Sequence, residues 1–507
     1  MKYTGSSRRH VPDSRAAREA AASSVPPAPL WQSAGVQCVL CGGRRRDYLF
    51  VVGSARMTRC HDCGLIARTG PSPGTAASYH LDDDSARAVL AGLPQGRILQ
   101  IADGSAALPS ADGREFVTVD PRHLPEAVDS AEPRSFDAAL VNGAVELVAD
   151  PVALLRRIAR TVRAGGAVVV VASANDISGF PGDQLPAHSF TPATLLGLAR
   201  AAGVRSESCG LLRRSVQTRP VDPRLAETPR LPWLTRAFAA VFRRPVEVPS
   251  GLLELRAVVK EVRERPKLSI IMPVFNEAPT FLETFARVHG AVIAGVDREL
   301  IVVESNSTDG SRDLVRSIEH LPGVRVLYQD RPAGKGHAVR AGMAVAEGDV
   351  LLIQDADSEY DVGDYDIVLE PLLRLSATFV LGSRHMGGRT WKIRQFANAR
   401  ALAGIMNLAH QLFTALANWL YQADMRDPTT MYKVFRREAV AGLRFRRDRF
   451  DFDWELVCKL IRRGHLPAEV PINYRSRSYA EGKKVRFFSD PITWLRTIVA
   501  SRFEPLA

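Results

Sequence analysis

Residues 267–384 repeat one pattern, and the repetition restricts the fold more than any single motif does. A short apolar, β-branched run gives way to a polar or small-residue loop and then to a helical stretch. Lys267–Glu277 contains the first run, stopped by Pro273. Glu299–Val303, Val324–Tyr328 and Val350–Ile353 follow, and Val380 leads into Gly382-Ser-Arg384. Such alternation builds an open parallel sheet with helices on both faces, and ligands bind at its carboxyl edge. The loops at that edge are Asn276-Glu277, Glu304–Gly310, Gly334-Lys335-Gly336 and Gln354–Asp357. The pattern predicts a doubly wound α/β domain over 266–507.

The fourth run ends abruptly in Gln354-Asp355-Ala-Asp357. Two carboxylates two residues apart point the same way where the chain stays extended. Their oxygens suit a hard divalent cation, Mg2+ or Mn2+, which in turn suits a diphosphate. The alternative reading is an ordinary acidic turn.

The first half differs. Residues 1–32 are rich in Arg, Ala, Ser and Pro with little periodicity, which predicts a disordered tail. Cys38-Val-Leu-Cys41-Gly and Cys60-His-Asp-Cys63-Gly follow, with eighteen residues between Cys41 and Cys60. Two such knuckles place four thiolates for tetrahedral zinc and leave no open position for catalysis. We expect a structural Zn2+ ribbon over 33–75, with His61 outside the metal shell. From 76 to 262 strand and helix signals alternate again. The strands are Arg97–Ile101, Phe116–Asp120, Phe136–Val141 and Ala167–Val171, with a last one over Leu252–Val262. Pro151–Val162 is a helix closed by Gly165-Gly166, and Thr191-Pro192 opens another. A short amphipathic helix is expected over Trp233–Phe242, and a linker at Glu264–Pro266.

No apolar run reaches the ~18 residues that span a bilayer, and Val11–Ser33 lacks the apolar core of a secretory signal. The expectation is a cytoplasmic chain able to touch a membrane face peripherally. The net charge of +12 admits phosphorylated substrates or anionic lipid. Nucleic acid is not expected, because no aromatic-basic interleaving or reading helix accompanies the charge.

In order, Pro273…Asn276-Glu277, Glu304-Ser-Asn-Ser-Thr-Asp309-Gly310, Gly334-Lys335-Gly336, Asp355-Ala-Asp357 and Gly382-Ser-Arg384 resemble the family 2 glycosyltransferases of GT-A fold. The likeness is strongest to the branch that glycosylates polyprenyl (dolichyl) phosphate. Asp427–Lys433, Asp451–Glu455 and Arg477–Lys484 extend it to about residue 500. The resemblance implies a UDP- or GDP-sugar donor and inversion at the anomeric carbon. It implies that Asp357 holds the divalent metal, with Asp355 near the metal or the ribose. Pro273, Asn276, Glu277, Glu304 and Asp309 would line the nucleoside side, and Lys335 would lie near the donor phosphates or base. Glu304-Ser305 stands where many relatives have two aspartates, which leaves the base open. For a phosphate acceptor, arginine forks replace a general base. Arg384 matches one such position, Arg394 or Arg400 another, and Arg477 with Lys483 and Lys484 the cationic acceptor loop. For a hydroxyl acceptor, a natural product or glycan, a carboxylate must take the proton; Asp453 and Glu455 are the candidates.

Ile101-Ala-Asp-Gly-Ser-Ala106, Asp120, Phe136-Asp137, Val145–Pro151 and Arg163–Gly166 resemble class I S-adenosylmethionine-dependent methyltransferases that carry a zinc ribbon. The first loop of that family is glycine-rich; here Gly104 remains, and Ala102 and Ala106 fill the other two positions. Asp120 stands where the family binds the cofactor ribose. The implied state is a degenerate Rossmann-like fold that no longer uses S-adenosylmethionine. The alternatives are a bifunctional enzyme and a docking or dimerisation module. Ile405–Tyr421 and the six arginines from Arg436 to Arg449 are candidates for lipid contact; the competing reading packs the helix on the core and leaves the arginines solvated.

Overall fold

The computed structural model describes residues 37–52, 55–69, 81–102, 106–120, 132–174, 187–215, 250–386, 400–475 and 489–506. The expected tail and the helix over Trp233–Phe242 lie outside them. Three sheets organise the described chain.

The first sheet starts with β1 (Arg46–Val52), β2 (Ala55–Cys60) and β3 (Ile66–Thr69), an antiparallel meander. The second is built from β4 (Gly96–Ile101), β5 (Arg114–Val119), β6 (Phe136–Asn142) and β7 (Val162–Ser173). After the two-residue β8 (His188–Ser189) come β9 (Arg205–Ser215) and β10 (Ser250–Val258), in the order β5-β4-β6-β7-β10-β9. Strand β8 instead pairs with β3. Cys38, Cys60, Cys63 and Leu65 share one buried cluster with Leu155, Phe190 and Leu195. The cysteine-bearing segment thus packs into the core of the region that follows it.

Strands β4 to β7 are parallel, and β10 runs antiparallel to both its neighbours. Strand β9 was not foreseen, because Arg-Ser-Glu-Ser carries no apolar alternation. Strand β7 begins at Val162, where a helix end was expected, and its register shifts between Phe136 and Ala138 around Gly165-Gly166. Among the described residues, three helices flank these sheets: α1 (Asp83–Ala91), α2 (Pro151–Thr161) and α3 (Pro192–Ala202). Thr191 and Thr194 form a reciprocal capping box on α3, which ends at Gly203 in the left-handed region.

The third sheet takes β11 (Lys267–Val274), β12 (Asp297–Glu304), β13 (Val324–Tyr328), β14 (Val350–Ile353), β15 (Phe379–Ser383), β16 (Lys433–Arg436) and β17 (Ala468–Pro471), in the order β13-β12-β11-β14-β16-β15-β17. The first four are parallel. Strand β16 returns antiparallel between β14 and β15, so the sheet is mixed and not purely parallel. The helices are α4 (Phe281–Gly290), α5 (Ser311–Ile318), α6 (Lys335–Val345), α7 (Tyr365–Leu373), α8 (Arg400–Tyr421), α9 (Arg437–Val440), α10 (Phe452–Arg462) and α11 (Ser489–Ala500). Helix α6 packs so closely on β11 that a Cβ at Gly342 would lie 2.5 Å from Ile271 Cγ2.

The two halves meet through β9. Leu211 N donates to Arg463 O (2.9 Å), and a Cβ at Gly210 would lie 2.4 Å from Arg463 Cγ. His465 bridges Cys209 O (2.9 Å) and Thr378 Oγ1 (2.8 Å). Burial pushes its imidazole down to about 3, so it bridges as the neutral ring.

Candidate functional site

The carboxyl ends of β11 and β14 open into a cavity of about 630 Å3. One wall is the turn after β14. The chain bends there instead of staying extended, and neighbours hold the bend. Buried Gln354 accepts from Tyr365 Oη (2.8 Å) and Tyr432 Oη (3.0 Å), and its Nε2 donates to Asp355 O (3.0 Å). Thr280 Oγ1 donates to Ala356 O (2.9 Å), and Thr284 and Ser358 share a 2.7 Å hydroxyl contact. Asp355, Asp357 and Glu359 all line the cavity. Asp357 Oδ1 accepts from Glu359 N (3.2 Å), and Glu359 Oε2 accepts from Tyr474 Oη (2.8 Å). Glu359 and Gln354 were missed in the sequence. The signal for Glu359 was there, an acidic residue at the same two-residue spacing beyond Asp357. The acidic donors on this wall are all oxygens, the kind that Mg2+ or Mn2+ takes.

Lys335 pairs with Asp355. Burial works against its charge, but Asp355, Asp453 and Asp357 outweigh burial and hold the ammonium above its ordinary pKa. It opens α6 after Gly334, whose φ is +106°. A Cβ at Gly336 would lie 2.4 Å from Phe452 Cβ and 2.7 Å from Arg447 O. The glycine therefore makes room for the chain before α10. Gly336→Ala is expected to destabilise by about 1–3 kcal/mol through overpacking, read as a lower denaturant midpoint.

Pro273, Asn276 and Glu277 also line the cavity. Asn276 is left-handed (φ +50°), and its Oδ1 accepts from Thr308 N (2.8 Å). Two expected neighbours stay out of the wall. Glu304 is fully buried; it accepts from Asn306 N (3.1 Å) and Ser307 N (2.6 Å) and pairs with Arg312 at 3.1 Å. The turn after β12 needs those amides satisfied, and Ser305 faces the cavity instead. Asp309 ties Ala278 N to Ser311 N, each at 3.0 Å.

Arg384 also lines the cavity and is buried in a fork with Asp427. Nε donates to Oδ2 (2.8 Å), Nη2 to Oδ1 (2.7 Å), and the backbone N to Oδ2 (2.9 Å). Nη2 also reaches Thr429 Oγ1 (3.0 Å), and the guanidinium carbon lies 5.0 Å from the centre of the Tyr474 ring. Burial alone would raise the Asp427 pKa; Arg384 outweighs it and holds the carboxylate well below its usual range. Glu469 accepts from Arg426 N and Asp427 N, and burial raises it to about 7.

Asp453 lines the cavity and pairs with fully buried Lys433 at 3.2 Å. Glu455, the other expected base, is not among the residues lining the cavity. It has no exposed surface, accepts from Arg446 N (2.9 Å) and Arg447 N (2.8 Å), and pairs with Lys459 at 2.8 Å. Its place on α10 turns it towards the 445–448 chain, away from the cavity. Arg394, Arg477, Lys483, Lys484 and the side chain of Arg400 lie outside the described residues.

Cys38, Cys41, Cys60 and Cys63 converge with all four sulfurs within 4.8 Å of one another. Cys38–Cys63 is 3.7 Å and Cys41–Cys60 is 3.5 Å. Zinc with bonds of about 2.3 Å at tetrahedral angles separates its sulfurs by about 3.8 Å, so the set fits. Gly42 and Gly64 both take φ above +70° at the knuckle turns. Cys63→Ser is expected to abolish thiolate-to-metal absorption in the Co2+-substituted protein. Because the cluster shares the core of the first half, it should also lower the melting temperature. In that half, Ala102 and Ala106 are buried, Asp120 closes β5 half-buried, and Gly104 lies outside the described residues.

The acidic bend and the buried arginine thus line one sheet-edge cavity. Residues 269–443 match the model of Glycosyl transferase family 2. The dolichol-phosphate mannosyltransferase of Pyrococcus furiosus is 24% identical over 217 residues, 43% of this chain and 59% of that protein. The chain thus spans less than two thirds of that relative. The dolichyl-phosphate hexose transferase of Haloferax volcanii is 28% identical over 217 residues, 42% of this chain and 84% of that protein. Among solved structures, glucosyl-3-phosphoglycerate synthase from Mycobacterium tuberculosis, in complex with Mn2+, UDP-glucose and phosphoglyceric acid, aligns with a TM-score of 0.36 and 22% identity over 47% of this chain and 81% of that one.

Proposed function

We propose that this chain is a metal-dependent inverting glycosyltransferase that moves a hexose from a UDP- or GDP-sugar to the phosphate of a polyprenyl-phosphate-type acceptor. The observation that carries the reading is that one cavity is lined by Asp355, Asp357, Glu359 and Arg384, within and beside the stretch that matches the family 2 model. The names of the relatives support the acceptor class.

Asp357, with Asp355 and Glu359 beside it, would hold Mg2+ or Mn2+. When bound, that ion offsets the charge that builds on the departing nucleoside diphosphate. Lys335 holds the Asp355 carboxylate in place through their ion pair. Pro273, Asn276 and Glu277 receive the nucleoside. Arg384, locked by Asp427, presents its remaining N–H edge to the acceptor phosphate. An oxygen of that phosphate attacks the anomeric carbon as the bond to the diphosphate breaks, which inverts the centre. The acceptor is already an anion, so no base is required. If the acceptor is a hydroxyl, Asp453 is the one of the two expected carboxylates that faces the cavity. Radiolabelled hexose passing into an organic-extractable, mild-acid-labile product tests the acceptor class; a product stable to mild acid favours the hydroxyl reading.

A lipid acceptor calls for a membrane-facing surface. No helix among the described residues is long and apolar enough to cross a bilayer. Ile492, Leu495, Val499 and Phe503, on α11 and the turn after it, are exposed, as are Leu408 and Leu412 on α8. Phe413 meets Trp494 edge-on at 5.9 Å, and Trp494 lines the cavity. The rest of the described face of α8 is largely buried, and Arg436, Arg447 and Arg449 are paired with Glu438, Glu504 and Asp490. The proposed peripheral contact therefore shifts from α8 and the arginine run to α11, with exposed Arg496 beside it. Ile492→Asp with Phe503→Asp is expected to reduce sedimentation with anionic vesicles at least tenfold. Unchanged sedimentation removes this contact from the proposal.

For the first half, the buried methyls of Ala102 and Ala106 and the bonds from β9 to Arg463 support a structural role without S-adenosylmethionine. Calorimetry that detected its binding at millimolar concentration would replace that role with the bifunctional reading.

A further inference from the structure

A second cluster of metal-ligating groups lies behind Arg384, apart from the acidic bend and the cysteines. His385 follows β15, His410 lies on α8, and Asp427 precedes β16. One ligand atom from each falls within 4.8 Å of the others. The Nε2 atoms of His385 and His410 are 3.1 Å apart, with ring centroids at 5.0 Å and planes within 19°. His410 Nε2 is 3.9 Å from Asp427 Oδ1. His410 and Asp427 are buried. Two imidazolium ions are disfavoured nitrogen to nitrogen at that distance; the pair suits a shared proton or a shared metal ion, and Arg426 O also lies 3.4 Å from His410 Nε2. Imidazoles sharing a metal at about 2.0–2.1 Å and near-tetrahedral angles hold their nitrogens about 3.3 Å apart. His410 Nδ1 lies 3.1 Å from Thr429 Oγ1, the outer contact that fixes a metal-binding imidazole with its other nitrogen towards the ion. Asp427 Oδ1 spends one lone pair on Arg384 Nη2 and has another to give.

We propose that His385, His410 and Asp427 bind a borderline divalent transition-metal ion, zinc in the first instance. Two imidazoles and one carboxylate select zinc and its neighbours over Mg2+ and Ca2+, which prefer all-oxygen shells. The ion would tie the end of β15, helix α8 and the loop before β16 around Arg384. A dication beside a guanidinium leaves the cluster positive, which favours an anionic oxygen as the fourth ligand. The inference is independent of the transferase reading.

The test is metal content of the full chain by mass spectrometry after dialysis against a weak chelator. It is made in the Asp357→Asn background so that ions at the acidic bend do not count. Two zinc ions per chain are expected, one in the thiolate cluster and one here. His385→Ala with His410→Ala should bind one and keep both the thiolate absorption of the Co2+-substituted protein and the circular-dichroism spectrum of the parent, which together report that both halves of this variant are folded. His410→Gln alone should weaken retention of the second ion at least tenfold. One ion per chain in the parent overturns the proposal and leaves a proton shared between two imidazoles; two ions retained in the double variant overturn it equally.

Discussion

Asp357→Asn is expected to lower sugar transfer by on the order of 10^3-fold or more, roughly 4 kcal/mol of transition-state stabilisation, while leaving stability within about 0.5 kcal/mol. The substitution keeps the volume and still lets the side-chain oxygen accept from Glu359 N, so the bend survives. It removes the charge that would anchor the divalent ion, and with it the stabilisation of the leaving diphosphate. Asp355→Asn separates the roles further, since it also strips Lys335 of its partner and should cost stability as well as turnover. Initial rates and thermal melts of the two variants side by side check this. Wild-type turnover in Asp357→Asn removes the metal role from the account.

Asp427→Ala is expected to be the most destabilising single change around the cavity, by about 3–5 kcal/mol, because it leaves the Arg384 guanidinium buried without its counter-charge. Three hydrogen bonds to Arg384 disappear together. Arg384→Lys should lose acceptor affinity with a smaller loss of stability, because an ammonium cannot reproduce the fork. Chemical denaturation of both variants, with acceptor KM for Arg384→Lys, checks the pair. Asp427→Ala as stable as the parent would mean that Arg384 finds another partner.

The sequence carried the parallel half of the third sheet and the acidic bend, because period and loop chemistry agree there. Strand β9 was illegible, since its Arg-Ser-Glu-Ser run becomes a strand only by pairing with β10 and meeting Arg463. The place of β15 beyond β16 was illegible for a related reason: order in a mixed sheet is set by a return strand fifty residues later. Glu304, Asp309 and Glu455 carry the residue type expected of ligand-binding acids. Their carboxylates are taken up by backbone amides of their own or neighbouring loops, and spacing does not distinguish those uses. The partnership of Arg384 with Asp427 joins residues far apart in the chain, which no local pattern displays. Glu359, by contrast, was available to a reading that extended the two-residue spacing one step further.

The most direct measurement of the central claim is nucleoside diphosphate release from a panel of UDP- and GDP-hexoses, with Mg2+ or Mn2+ and with or without a short polyprenyl phosphate. The account predicts release from one donor class that needs both the divalent ion and the lipid phosphate and that disappears with EDTA. Release indifferent to the lipid phosphate, or undiminished by EDTA, would contradict it.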